Sequence, residues 1–133
     1  MKQNNIKPQE LRATDLRIGN YIKDTDTNRV GQVVWFSKKK IGVKLEHSTI
    51  WQTVDEYSPI PLSEEVLLKC GAVLHGIEYI IKASALPVKI RFHSGIAYCE
   101  MGNVYLGDRI KYLHELQNLI YILCGKEIEV SWT

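Results

Sequence analysis

The sequence predicts an α+β protein: an N-terminal small SH3-like β-barrel, a short linking helix, then an antiparallel β-meander packed by one long C-terminal helix. Three observations predict it. Short β-branched and aromatic runs alternate with polar turns between residues 21 and 54. A proline-bounded stretch, SPIPLSEEVLLKCGA, then changes the regime. Finally, Ile110, Leu113, Leu116, Ile120 and Leu123 recur at three- and four-residue spacing, the mark of an amphipathic helix.

The elements follow in order. Gly19-Asn20 precedes Tyr21-Ile22-Lys23, and Asp24 to Asn28 (DTDTN) supplies a turn. Arg29 to Ser37 reads as a strand, with Gly31 expected at a bulge or sharp bend. Lys38-Lys39-Lys40 forms a polar hairpin tip. Ile41, Val43 and Leu45 then alternate with Lys44 and Glu46, and Ile50 to Val54 follows as another strand. Strands this short cannot bury their faces as a flat sheet, so a small curled barrel is expected. Ser63 is a good N-cap, Glu64 and Glu65 favour the positive end of the helix dipole, Leu62 and Leu67 occupy the staple positions, and Gly71 suits the C′ position. This helix has about two turns and needs packing through Val66, Leu67 and Cys70.

In the second half, Ile77, Tyr79 and Ile81 are expected on one strand face. Val88, Ile90 and Phe92 share another, leaving Lys89, Arg91 and His93 opposite. Ser94-Gly95 and Met101-Gly102-Asn103 turn the chain between strands. The long helix is expected over residues 109–124, with Lys111, His114, Glu115 and Asn118 on its polar face. Its last turns, Leu119 to Cys124, are apolar all round, which calls for a central core position or a second subunit. EIEVSW is expected to add a last strand. The boundaries are residues 1–60 for the barrel-like part and 61–133 for the α+β part, the two sharing a core because neither is rich enough in apolar residues alone.

Composition excludes several classes. With 133 residues, 45% hydrophobic and 24% charged, the chain is not a disordered one. Its net charge of +2 does not by itself argue for a polyanion partner. No apolar run reaches the roughly 18 residues of a membrane span, and residues 1–16 lack the apolar core of a secretory signal. Cys70, Cys99 and Cys124 are odd in number and set in apolar segments, as expected of buried thiols in a reducing cytoplasm.

Motifs for chemistry are broken. His114-Glu115 opens like the H-E-x-x-H zinc motif, but Asn118 stands where the second imidazole is needed. Asp24, Asp26 and Asn28 have calcium-loop spacing, yet Arg29 replaces the required Gly and Trp35 the required Glu, so an ordinary polar turn is expected. No phosphate-cradling glycine loop and no nucleophile elbow is present. No catalytic residue, metal site or cofactor is therefore assigned, and binding is expected in place of bond-making.

Two patches carry the binding expectation. Trp35 lies beside Lys38 and Lys40, with Trp51 just beyond; aromatic rings stack on bases while ammonium groups hold phosphates. Lys89, Arg91 and His93 form the second patch, on one strand face. These seven residues are the candidate ligand-binding set.

The stretches LRIGNY (Leu16 to Tyr21), PIPLSEEVLLKCGA and YLHELQNLIYILCGKEIEV together resemble a family of small uncharacterised proteins of gut Bacteroidetes and their phages. That resemblance implies an accessory role, such as regulation or interference with host defence, and brings no catalytic residues. The expected function is accordingly a non-catalytic phage-type protein that binds or sequesters a small anionic, nucleotide-like ligand as a homo-oligomer. The alternatives are a nucleic-acid-binding SH3-like module and a protein adaptor or inhibitor of a host factor.

Overall fold

The computed structural model describes residues 11–37, 40–45, 48–82 and 86–132, apart from the side chain of Trp51. The chain divides into two compact units, residues Met1–Ile60 and Pro61–Thr133. It is a mixed α+β protein, mostly strands in two antiparallel sheets, with one long C-terminal helix.

The first unit contains β1 (Tyr21–Asp24), β2 (Val30–Phe36), β3 (Ile41–Lys44), β4 (Thr49–Gln52) and β5 (Tyr57–Ser58), with a 3-10 turn at Val54–Glu56. Their order is β4-β3-β2-β1-β5, so the last strand returns beside the first. Among the described residues the ladder runs from β4 to β5 without closing, and the expected barrel is therefore met at the level of a five-stranded antiparallel sheet. Alternation places Ile22, Val33, Ile41, Val43, Leu45 and Tyr57 in one buried cluster with Leu11, and Phe36 packs against it while Trp35 faces outward, 49% exposed.

Two local devices fix this sheet. Gly31 is not at a bulge: it pairs regularly with Ile22, and the register shift falls between Val33 and Trp35. Gly31 is needed because its position faces the packed interior, where the side chains of Val43 and Leu45 already occupy the space a side chain would take. A Cβ there would collide with Val43 Cγ1 and lie 3.0 Å from Leu45 Cδ2. Asn20 is fully buried; its side-chain oxygen accepts the Arg17 N–H at 2.7 Å, and its carbonyl accepts the Val33 N–H at 2.9 Å. The LRIGNY stretch thus has a structural account, a turn with Gly19 at φ +101° stitched onto β2.

The second unit begins with α1 (Glu64–Lys69). Ser63 Oγ accepts the Val66 N–H at 3.2 Å, and Lys69 lies 3.7 Å from Glu65. β6 (Val73–His75), β7 (Glu78–Lys82), β8 (Pro87–His93), β9 (Ile96–Met101) and β10 (Val104–Gly107) follow as a plain meander in sequence order. The inward face carries Tyr79, Ile81, Val88, Ile90, Ala97, Cys99 and Met101, all buried, and Phe92 meets Tyr79 edge-on at 6.0 Å. Ile77 is not on that face. It sits in the β6–β7 turn, 73% exposed.

Helix α2 spans Leu113–Cys124, starting four residues later than expected. The backbone explains the delay. Pro61 forms a β-bridge with Tyr112, and the Leu62 N–H donates to the Lys111 carbonyl at 3.0 Å, holding residues 111–112 extended. Glu115 then caps the helix, its carboxylate accepting the N–H groups of Lys111 (2.9 Å) and Tyr112 (3.0 Å). The buried face is Leu113, His114, Leu116, Gln117 and Ile120, so His114 belongs to the buried side and not to the polar one. EIEVSW forms no strand. Instead, the Ser131 N–H donates to the Lys69 carbonyl at 2.8 Å, serving one of the acceptors left open at the end of α1.

Candidate functional site: a cationic and aromatic cleft on the second sheet

The outward face of the second sheet is set by the β8–β9 hairpin. Ser94 and Gly95 both take left-handed backbone, φ +53° and +78°, forming a two-residue turn that matches the twist of the strands. The register follows: His93 pairs with Ile96, Arg91 with Tyr98 and Lys89 with Glu100. On the other side of β9, Tyr105 pairs with Glu100, and the ladder shifts between Tyr105 and Gly107.

Ile77, Arg91, Phe92, His93, Tyr98 and Tyr105 line a cleft of about 280 Å³. Arg91 and His93 are exposed, and neither forms an ion pair with a described carboxylate. A guanidinium in that condition presents a planar fork of donors suited to phosphate or carboxylate, and the tyrosine rings offer faces for a planar group. The volume lies just below the roughly 300 Å³ at which small-molecule sites begin.

The candidate residues separate. Arg91 and His93 come together in the cleft, while Lys89 shares their strand face but lies outside the lining, opposite Glu100. Trp35 and Lys40 are exposed in the first unit. Trp35 and the Trp51 backbone both pair with Gly42, from opposite sides of β3. Lys38 and the Trp51 side chain lie outside the described part. Sequence reading missed Tyr98, Tyr105 and Ile77. Both tyrosines had a usable signal: a two-residue turn at Ser94-Gly95 pairs Tyr98 with Arg91, and one at Gly102-Asn103 pairs Tyr105 with Glu100, the register shift coming only after Tyr105.

Other chemistry-bearing groups have structural accounts. The Asp24 carboxylate accepts the N–H groups of Asp26 (2.9 Å) and Thr27 (3.1 Å), an Asx turn, with Asn28 at φ +60°. Cys70 and Cys99 are buried, and loss of hydration pushes each thiol up from 9.0 to about 11, with the Glu100 charge adding to the effect at Cys99. Both are protonated, unreactive thiols at neutral pH. Among the described residues no three His, Cys, Asp or Glu side chains gather to hold a metal ion, and no helix is long and apolar enough to cross a membrane. Comparison with protein-family models, with curated proteins and with solved structures finds no match.

Proposed function

We propose that this chain is a non-catalytic accessory protein that binds or sequesters a small anionic, nucleotide-like ligand as a homo-oligomer. One observation carries the reading: Arg91 and His93 on β8 share a single cleft with Tyr98 on β9 and Tyr105 on β10. The arrangement offers a charge-assisted fork for a phosphate and ring faces for a base. Assembly is supported by the end of α2, where Tyr121, Ile122 and Leu123 are 43%, 77% and 59% exposed. A reducing, cytoplasmic setting belongs to the same reading, supported by Cys70, Cys99 and Cys124 forming no disulfide. The SH3-like barrel does too, supported by β5 returning beside β1 and by the 3-10 turn between β4 and β5.

Titration with adenosine 5′-monophosphate and with adenosine tests the site. The nucleotide is expected to bind at least about tenfold more tightly, since a charge-assisted hydrogen bond contributes roughly 1.5–3 kcal/mol. Arg91→Ala should erase that difference while leaving stability within about 0.5 kcal/mol. Equal affinities, or an Arg91→Ala protein that binds normally, would refute the assignment. Light scattering at micromolar concentration should give more than a monomer mass; a strict monomer would remove the oligomer from the proposal.

A further inference from the structure

A second surface remains on the outward face of the first sheet, independent of the cleft. Register alone defines it. Tyr21 pairs with Gln32, Gln32 with Lys44 and Lys44 with Thr49, an unbroken polar row across four strands. Two residues along β1, Lys23 pairs with Val30 on one side and Ser58 on the other. Trp35 stands on the same face, opposite Gly42, and is 49% exposed. Lys40 is exposed at the β2–β3 hairpin, where the Ser37 N–H donates to its carbonyl at 2.9 Å.

Among the described strand positions the charge on this face has one sign. Its described strand positions carry Lys23 and Lys44 and no carboxylate; Asp24 pairs in register with buried Tyr57, and Asp55 and Glu56 lie on the 3-10 turn. Neither Lys23 nor Lys44 forms an ion pair with a described carboxylate. An exposed indole, flanked by lysines and by amide and hydroxyl groups, on a sheet too broad for one small molecule, matches an extended polyanion with stacking bases. A duplex buries its base faces and has no use for the indole.

We infer that the outward face of the first sheet binds single-stranded nucleic acid, with a base stacked on Trp35 and phosphates held by Lys23, Lys40 and Lys44. Fluorescence anisotropy of the full chain with a labelled twelve-residue oligothymidylate tests it. Affinity should fall with a log–log salt slope of about −2, three lysine contacts each contributing about 0.7. Trp35→Ala should weaken binding by about tenfold or more, Trp35→Phe much less, and Lys44→Gln should lower the slope by about 0.7. Arg91→Ala should bind as the parent does, which separates this site from the cleft. If Trp35→Ala does not fold, the exposed Lys44→Gln and the Lys23→Gln substitutions carry the test alone. The inference is overturned by absence of binding at 50 mM salt, by parental affinity in the Trp35 and lysine variants, by an equal loss in Arg91→Ala, or by tighter binding of the matching duplex.

Discussion

The two sheets have the same number of strands and opposite solutions to the same problem. The first brings its last strand back beside its first and buries an apolar cluster dominated by its own strands. The second is a sequential meander that buries one face and leaves the other open, with Lys89, Arg91 and His93 beside exposed Val73 and Ile96. Consequently the first sheet depends on places where core side chains leave no room for a Cβ or a polar turn must be buried, at Gly31 and Asn20. The second depends on alternation and on the apolar stripe of α2. The proposed binding groups lie on the outward side in both, because only those positions are released from packing.

Large-to-small changes should strike the second unit hardest. Leu116 is fully buried in α2, so Leu116→Ala should cost about 2–5 kcal/mol in urea unfolding. A cost below about 1 kcal/mol would mean that α2 is not part of the core. The first sheet should instead be vulnerable to added volume. Gly31→Ala is expected to cost about 1–3 kcal/mol, because the new methyl meets Val43 and Leu45 between paired strands. A neutral result would deny that Val43 and Leu45 fill the space beside Gly31, on which the contrast rests.

Alkaline pH sharpens the comparison more gently. Cys70 and Cys99 both belong to the second unit, and their folded-state pKa values are raised from 9.0 to about 11. The folded protein therefore keeps protons that the unfolded chain releases. Their contribution is fully present below pH 9 and is lost as pH rises through about 11. In the first unit, burial, then the Asp24 charge, then that of Glu56, raise Tyr57 above 10.0, so its loss begins one unit higher. Urea midpoints between about pH 8 and 10.5 should fall, and a Cys70→Ala/Cys99→Ala protein should show a flatter decline. An unchanged decline in that variant would show that the thiols are not the titrating groups.

Much of the fold is legible in the amino-acid sequence, and the misses have physical causes. Ser63, Glu64 and Gly71 announce α1 because capping is local chemistry. Lys89, Arg91 and His93 fall on one face because strand alternation is local as well. The start of α2 is not legible, since residues 111–112 are held extended by a bridge to Pro61, some fifty positions earlier. His114 reads as polar surface because the stripe Leu113, Leu116, Ile120 marks the centre of a buried face and not its width. Trp132 stands in a pattern suited to a strand, but the segment finds a helix carbonyl as its partner in place of a ladder. In the cleft, Arg91 and His93 come from alternation and Tyr98 is derivable from a tight turn. Tyr105 is derivable in the same way, from the two-residue turn at Gly102-Asn103 that pairs it with Glu100; the irregular register begins only after it.

The central claim is that the second sheet grips an anionic, planar ligand through Arg91 and the tyrosines. Amide chemical-shift mapping during titration with adenosine 5′-monophosphate tests it most directly. The account predicts shifts concentrated at Arg91, His93, Tyr98 and Tyr105, with smaller ones at Lys89, and their loss in Arg91→Ala. Shifts confined to other parts of the chain, or none at millimolar nucleotide, would contradict it.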